Sequence, residues 1–284
     1  NIMKIKHLIS ERAKPTLRKI LQHIWLKSLE RAIKEQHLKD LAAKLKQIVP
    51  DITEQYSNFL VNTPFLNLKV IGLHAFQMSL VGDAISNIKN PVIVDIGDSA
   101  GTHLQYIVGL YSDNKSISCL SVNLDSKAVE KIINKGFNAV HARAEDLHKY
   151  NINADIFLCF ETLEHLMNPC TFLHDLSTKT NAQFLVITVP YLKDSRVGLH
   201  HIRNNITEAV NAEKTHIFEL NPDDWKLIVR HSGWDIVEEA VYLQYPKKGI
   251  MRITKYLWKK YDFEGFYGLI LKRDNTYASR YLNW

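Results

Sequence analysis

From Pro91 onward the chain alternates short apolar runs with helical segments, and this rhythm constrains the fold more than any other feature. VIVDIG opens the series, bounded by Pro and Gly, and ISCLSVN (117–123), NAVHA (138–142), DIFLCF (155–160) and QFLVITV (183–189) follow. Each run is apolar and of strand length, and segments 102–111, 126–135 and 169–180 between them read as helices. Apolar strands alternating with helices predict a parallel sheet covered on both faces. The rhythm breaks over 191–220. Residues 221–232 then read as a helix, with Asn221 as cap, Pro222 in its first turn and Gly233 at its end. WDIVEEAVYLQY (234–245) and FYGLILKR (266–273) are the last strand candidates. The expected fold class is α/β: a seven-stranded, mostly parallel, doubly wound sheet with an N-terminal helical extension.

That extension carries an apolar stripe: Leu17, Ile20, Leu21, Ile24, Trp25, Leu29, Ile33, Leu38, Leu41, Leu45 and Ile48. The steps of three, four and five are helical. The stripe slips near Gln36-His37, which predicts a break there. Pro50-Asp51 ends the segment, 51–67 reads as a connector, and 68–88 reads as a further helix. The expected organisation is a basic helical extension or cap over 1–67 and a main domain over 68–284. Within the main domain, 91–190 is the half that carries the alternating strands, 191–220 an insertion, and 234–273 the closing strands.

Charge separates the same parts. Residues 1–50 hold 12 Lys/Arg against 4 Asp/Glu, and 247–284 hold 9 against 3. Residues 51–246 hold 15 against 23, so the body is acidic although the chain is +6 overall. An acidic body argues against nucleic acid as partner, despite the basic ends. Three readings of the basic helix remain: a cap packed over the body, a peripheral contact with an anionic membrane surface, or a nucleic-acid contact. The cap is the favoured reading. No uncharged apolar stretch of membrane-spanning length and no signal-peptide pattern is visible. Three cysteines (Cys119, Cys159, Cys170) without CxxC spacing argue against a disulfide framework and fit a reducing cytoplasm.

The strand at 92–96 runs into Asp95-Ile96-Gly97-Asp98-Ser99-Ala100-Gly101, followed by a helix. Small residues there let the backbone turn sharply and approach a ligand, with the helix amides facing it. A strand-to-helix turn of this kind is the cofactor position of doubly wound sheets. The spacing is G-x-S-x-G, which departs from dinucleotide and P-loop patterns. It also fits the nucleophile elbow of serine hydrolases. That alternative lacks an upstream oxyanion stretch, since residues 1–90 contain only Gly72 and Gly82.

Five segments in order resemble class I S-adenosylmethionine-dependent methyltransferases. VIVDIGDSAG resembles their first motif, SVNLDSKAVEKI (121–132) the second-strand motif, and ARAEDL (142–147) the third. DIFLCFETLEHLMNP (155–169) resembles the fourth-strand motif with its Leu-Glu-His sequel. THIFELNPDDWKLIVRHSGWDIVE (215–238) resembles a late family segment. The resemblance implies S-adenosyl-L-methionine as cofactor and a final strand antiparallel to the rest. It implies that Gly97, Ser99 and Gly101 admit the methionine and ribose parts, and that Asp95 holds the loop or receives the amino group. Asn123 and Asp125 would take the ribose, Ala144 and Glu145 the adenine, and Phe160 and Glu161 would border the methyl group. Ser99, Asn123 and Arg143 stand where the family usually has Gly, an acid and Asp. Those departures keep a second reading open, a non-catalytic cofactor-binding module of the same fold.

The resemblance implies methyl transfer, and the lack of nucleic-acid and peptide motifs points to an oxygen or nitrogen of a small-molecule or glycan-type acceptor. A hydroxyl acceptor calls for a base, and His165, His200, His201 and His216 are the candidates. No metal is expected: magnesium prefers carboxylates, of which only Asp155 is obviously placed, and zinc prefers close helical His or Cys spacing. The sequence leaves the oligomeric state open.

Overall fold

The computed structural model describes residues 13–56, 60–113, 115–198, 215–244 and 263–280. Seven strands form one sheet: β1 (Val92–Ile96), β2 (Ser118–Asn123), β3 (Asn138–His141), β4 (Ile156–Phe160), β5 (Phe184–Tyr191), β8 (Trp234–Tyr242) and β9 (Gly265–Arg273). Their order is β3-β2-β1-β4-β5-β9-β8. β1 to β5 are mutually parallel, while β9 runs antiparallel to both β5 and β8. The expected sheet is therefore present, with strand ends within a few residues of those read from the sequence.

Alternate side chains of β1, β4, β5 and β9 enter different cores. Ile93, Ile156, Leu158, Phe160, Val186 and Ile270 face one side. Val94, Ile96, Phe157, Cys159, Leu185 and Leu271 face the other. The second side is covered by α6 (Pro169–Lys179) and α7 (Pro222–His231). Asn221 caps α7 by accepting from the Asp224 amide at 2.9 Å, as the sequence predicts.

The first side is covered by α1 (Ala13–Glu35), α2 (Lys39–Ile48), α3 (Pro64–Ile85) and α4 (Thr102–Tyr111). The break between α1 and α2 falls where the stripe slips, with His37 at φ 59°. Leu29, Ile33, Leu38, Leu45 and Val49 are buried. Helix α3 begins four residues earlier than the sequence reading placed it. Thr63 caps it by accepting from Leu66, and Pro64 takes the first position, where its missing N–H costs nothing. By length and composition α3 could cross a membrane. It is instead the central helix of this core, with Val70, Ile71, Phe76, Met78, Leu80 and Val81 buried. A helix apolar all round needs such enclosure.

The remaining elements are α5 (Ser126–Asn134), short 3-10 turns at Ala144–Tyr150 and Leu163–His165, and the terminal α8 (Asn275–Ala278). A two-strand ribbon, β6 (Arg196–Val197) with β7 (Phe218–Glu219), lies in the segment expected to hold the insertion. His200 and His201 lie outside the described residues. Cys119, Cys159 and Cys170 are free thiols.

Candidate functional site

The chain reverses its direction of travel across the sheet between β1 and β4. β2 and β3 lie to one side of β1, and β4 and β5 to the other. In doubly wound sheets a crevice opens at the carboxyl ends of the strands at such a switch point. The loops leaving β1, β2, β4 and β5 meet there.

The loop after β1 turns at two glycines. Gly97 has φ 98° and Gly101 φ 71°, in the left-handed region that favours glycine. A Cβ on Gly97 would lie 2.5 Å from Thr162 Oγ1, so the loops after β1 and β4 touch at that point. Thr162 Oγ1 donates to the Phe160 carbonyl at 3.0 Å, which fixes the second loop. The Gly97 amide donates to the Val122 carbonyl at 2.9 Å. Lys135 Nζ closes the loop from outside, on the Ala100 carbonyl at 2.6 Å. Ser99 is half-buried and has no positive φ.

Asn123 braces this loop rather than projecting alone. Its Nδ2 donates to the Asp98 carbonyl at 3.0 Å, and its Oδ1 accepts from the Asp125 amide at 2.7 Å. Asp125 in turn caps α5, accepting from the Lys127 amide. Ala144 and Glu145 begin the 3-10 turn after β3, and Glu145 pairs with Arg143 at 3.2 Å.

Beneath the loop lies a buried ion pair that the sequence reading did not assign. His103, in the first turn of α4, meets Asp95 Oδ2 through Nδ1 at 2.9 Å, with Asp98 Oδ1 4.0 Å away. Burial, stronger than the pull of the imidazolium, pushes Asp95 up to about 6. Burial works against the charged form of His103, and the Asp98 and Asp95 carboxylates overcome it, so its pKa is raised. The His103 ring packs edge-on against Phe160 and His74. His74 is driven well below its ordinary pKa by burial and by His103. The signal available in the sequence was the spacing of eight from Asp95 to His103 across one tight turn.

Just past β4, Glu161 has φ 48°. It is half-buried and its Oε1 is enclosed without a hydrogen bond. Burial pushes it up to about 8, against the opposing pull of Thr188, Lys69 and Glu164. Tyr56, from the expected connector, is half-buried, and desolvation first, then the field of Glu161 and Asp98, pushes its phenol up. Lys69 on α3 is likewise depressed by burial and drawn by Glu161. Neither Tyr56 nor Lys69 was expected at the site, because both precede the alternating region.

Glu164 follows on the Leu163–His165 turn. It is fully buried, and both carboxylate oxygens lack a hydrogen-bond partner. Burial first, then the neighbouring Glu161, raises its pKa well above the ordinary value. His165 Nδ1 meets the Thr215 carbonyl at 3.1 Å, and the His165 and His216 rings cross edge-on, 4.7 Å apart. His216 Nδ1 meets Glu219 Oε1 at 2.7 Å, and Arg196 pairs with the same carboxylate. Glu164, His165 and His216 each offer a ligand-type atom within 4.8 Å of the others, as do Asp95, Asp98 and His103.

No protein-family profile matches the chain, and no curated protein matches it in sequence. Solved structures do match in three dimensions. The (4+2)-cyclase SpnF superposes with a TM-score of 0.54 at 10% identity, covering 82% of this chain and 92% of that one. The 1,6-didemethyltoxoflavin-N1-methyltransferase of Burkholderia thailandensis, solved with 1,6-didemethyltoxoflavin and S-adenosylhomocysteine, gives 0.52 at 12% identity, over 83% and 90%. Proteins of different chemistry thus share this fold. The chain has the class I S-adenosylmethionine-dependent methyltransferase fold.

Proposed function

We propose that the protein is an S-adenosyl-L-methionine-dependent methyltransferase acting on an oxygen or nitrogen of a small-molecule or glycan-type acceptor. The observation that carries this reading is the turn at Gly97 and Gly101, opening at the switch point and braced by Asn123. Its backbone can approach an extended ligand, which Asp125, Ala144 and Glu145 would follow towards the adenine. Phe160 and Glu161 border the other end, where the Glu161 carboxylate, once ionised, suits the cationic amino group and the sulfonium. Methyltransferase neighbours of the same fold support the cofactor, one of them solved with its demethylated form.

Transfer is an in-line displacement: a lone pair of the acceptor forms the new bond to the methyl carbon as the carbon–sulfur bond breaks, leaving a neutral thioether. The carbon is already activated, so holding the two reactants at attack distance can contribute roughly 7–11 kcal/mol. The enclosure by Tyr56, Lys69 and Glu161 serves that positioning. Among the expected bases, His165 and His216 lie within the described residues.

A second reading, the fold retained without methyl turnover, is favoured by the similarity to a cyclase. The hydrolase reading loses support, since a nucleophile elbow holds its serine on a strained turn and Ser99 is not strained in φ. The test is thermal melting with S-adenosylhomocysteine. A ligand binding only the folded state at a hundredfold excess over Kd adds about 2.7 kcal/mol. A clear rise in Tm supports the cofactor, and no rise at millimolar ligand overturns it. Methyl transfer from labelled cofactor to a panel of hydroxyl and amine acceptors separates the enzyme from the silent module.

A further inference from the structure

Glu164 presents a problem that the methyltransferase reading does not solve. A carboxyl group with no solvent access and no partner beyond the neighbouring Glu161 carboxyl is costly, and such groups call for a specific explanation. Two imidazoles lie beside it. The Ile217 amide donates to the Glu164 carbonyl at 2.6 Å, which draws the 215–217 segment against the Leu163–His165 turn.

We propose that Glu164, His165 and His216 bind a divalent first-row transition cation. One ligand-type atom from each lies within 4.8 Å of the others, a span a single ion can bridge. Each imidazole is oriented from behind. With Nδ1 of His165 donating to the Thr215 carbonyl, and Nδ1 of His216 donating to Glu219, the lone pair of each ring is on Nε2. Carbonyl and carboxylate partners of this kind are the usual outer support of metal-bound histidines. Arg196 holds Glu219 in turn. Two nitrogens and one carboxylate favour zinc, manganese or cobalt over magnesium, which prefers oxygen. In the second triad, Asp95, Asp98 and His103, the Nδ1 of the histidine is already taken by Asp95 Oδ2, although Asp95 Oδ1, Asp98 Oδ2 and His103 Nε2 are buried without a partner.

Three protein donors leave coordination positions for water or an acceptor oxygen. A hydroxyl bound there would lose its proton more readily. His165 would then hold the ion rather than act as a base. That consequence rests on the methyltransferase reading, whereas the metal site itself does not.

The test uses the full chain stripped with chelator and titrated with Co2+. The expected result is one Co2+ per chain, visible d–d absorption, and displacement by Zn2+. Glu164→Gln, His165→Ala and His216→Ala should each weaken binding at least tenfold, and Glu219→Gln should weaken it roughly 10–100-fold through His216. If Glu164→Gln fails to fold, His216→Ala carries the test, since His216 is partly exposed. Absence of saturable Co2+ or Zn2+ binding near millimolar metal overturns the proposal and leaves Glu164 as a buried neutral acid beside Glu161. Undiminished binding in folded His165→Ala and His216→Ala overturns it equally. Thermal shift with S-adenosylhomocysteine, measured on the same metal-free protein, reports the cofactor reading separately.

Discussion

Gln36 and Leu243 bind each other reciprocally across most of the chain. Gln36 Nε2 donates to the Leu243 carbonyl at 3.0 Å, and Gln36 Oε1 accepts from the Leu243 amide at 2.7 Å. The same Nε2 also reaches the Ala32 carbonyl. A side-chain amide thus completes the backbone just past the end of β8 from the break between α1 and α2. The sheet's edge and the N-terminal helices are joined at the one point where the helical stripe slips.

Replacing Gln36 by Leu should therefore destabilise the protein. Both backbone groups of Leu243 lose their partner, and groups left unpaired in a partly buried place cost about 1–3 kcal/mol each. The expected outcome is a fall of several degrees in Tm, with the sheet retained by circular dichroism. An unchanged Tm would show that water replaces the amide at no cost.

Removing residues 1–50 takes away α1 and α2 and changes the net charge from +6 to −2. It removes buried Leu29 and strips Ile33, Leu38, Leu45 and Val49 from a core shared with α3. Five aliphatic side chains are worth roughly 7–15 kcal/mol by transfer, before entropy is subtracted. That is comparable to the stability of a whole domain. The fragment should be poorly soluble. A soluble fragment, equally stable and equally active, would instead favour an arm that binds an anionic surface, with salt-sensitive attachment as its signature.

How legible these features were in the sequence depends on the range over which they are encoded. The strands were readable because Ile156, Leu158 and Phe160 enter one core while Phe157 and Cys159 enter the other. Burial on both faces leaves an uninterrupted apolar run. The loop at Gly97 was readable because its turn needs small residues locally. Tyr56 and Lys69 were not, since they reach the site through packing of the segments before β1 onto the sheet, and His103 offered only its spacing from Asp95 across one turn. Nor was the approach of His216 to Glu164 and His165, which depends on a backbone bond from Ile217. Pro64 was misread as connector because a proline in a helix's first turn looks the same as one that ends a helix.

Gly97→Val should abolish binding of S-adenosylhomocysteine, raising Kd at least a hundredfold, with the sheet intact. A β-branched residue resists φ 98°, and its Cβ would collide with Thr162. Calorimetric titration checks this, and normal binding would make the turn purely structural. Ser99→Ala should alter methyl transfer by no more than a few-fold. A serine hydrolase would lose nearly all its rate, because its nucleophile would be gone.

Stability should fall as pH rises from about 4 towards 8, partly through Asp95 and His103. Burial lifts Asp95 from 3.8 to about 6, so between those values the folded state holds a proton that the unfolded chain has released. Raising the pH through that window therefore favours unfolding. The pKa of His103 is also raised, above 6.5, by Asp98 and Asp95. Its contribution is complete below 6.5 and is lost as pH climbs through the folded value, so both groups act in the same direction. Asp95→Asn removes the first titration. It also deprives His103 of its nearest carboxylate, which leaves Asp98 alone against burial and weakens the rise of the imidazole's pKa. Melting curves across this range should show Tm declining in the wild type and a distinctly flatter profile in Asp95→Asn. Parallel profiles in the two proteins would mean that the buried pair keeps the same charge throughout, and would remove it as a source of the pH dependence.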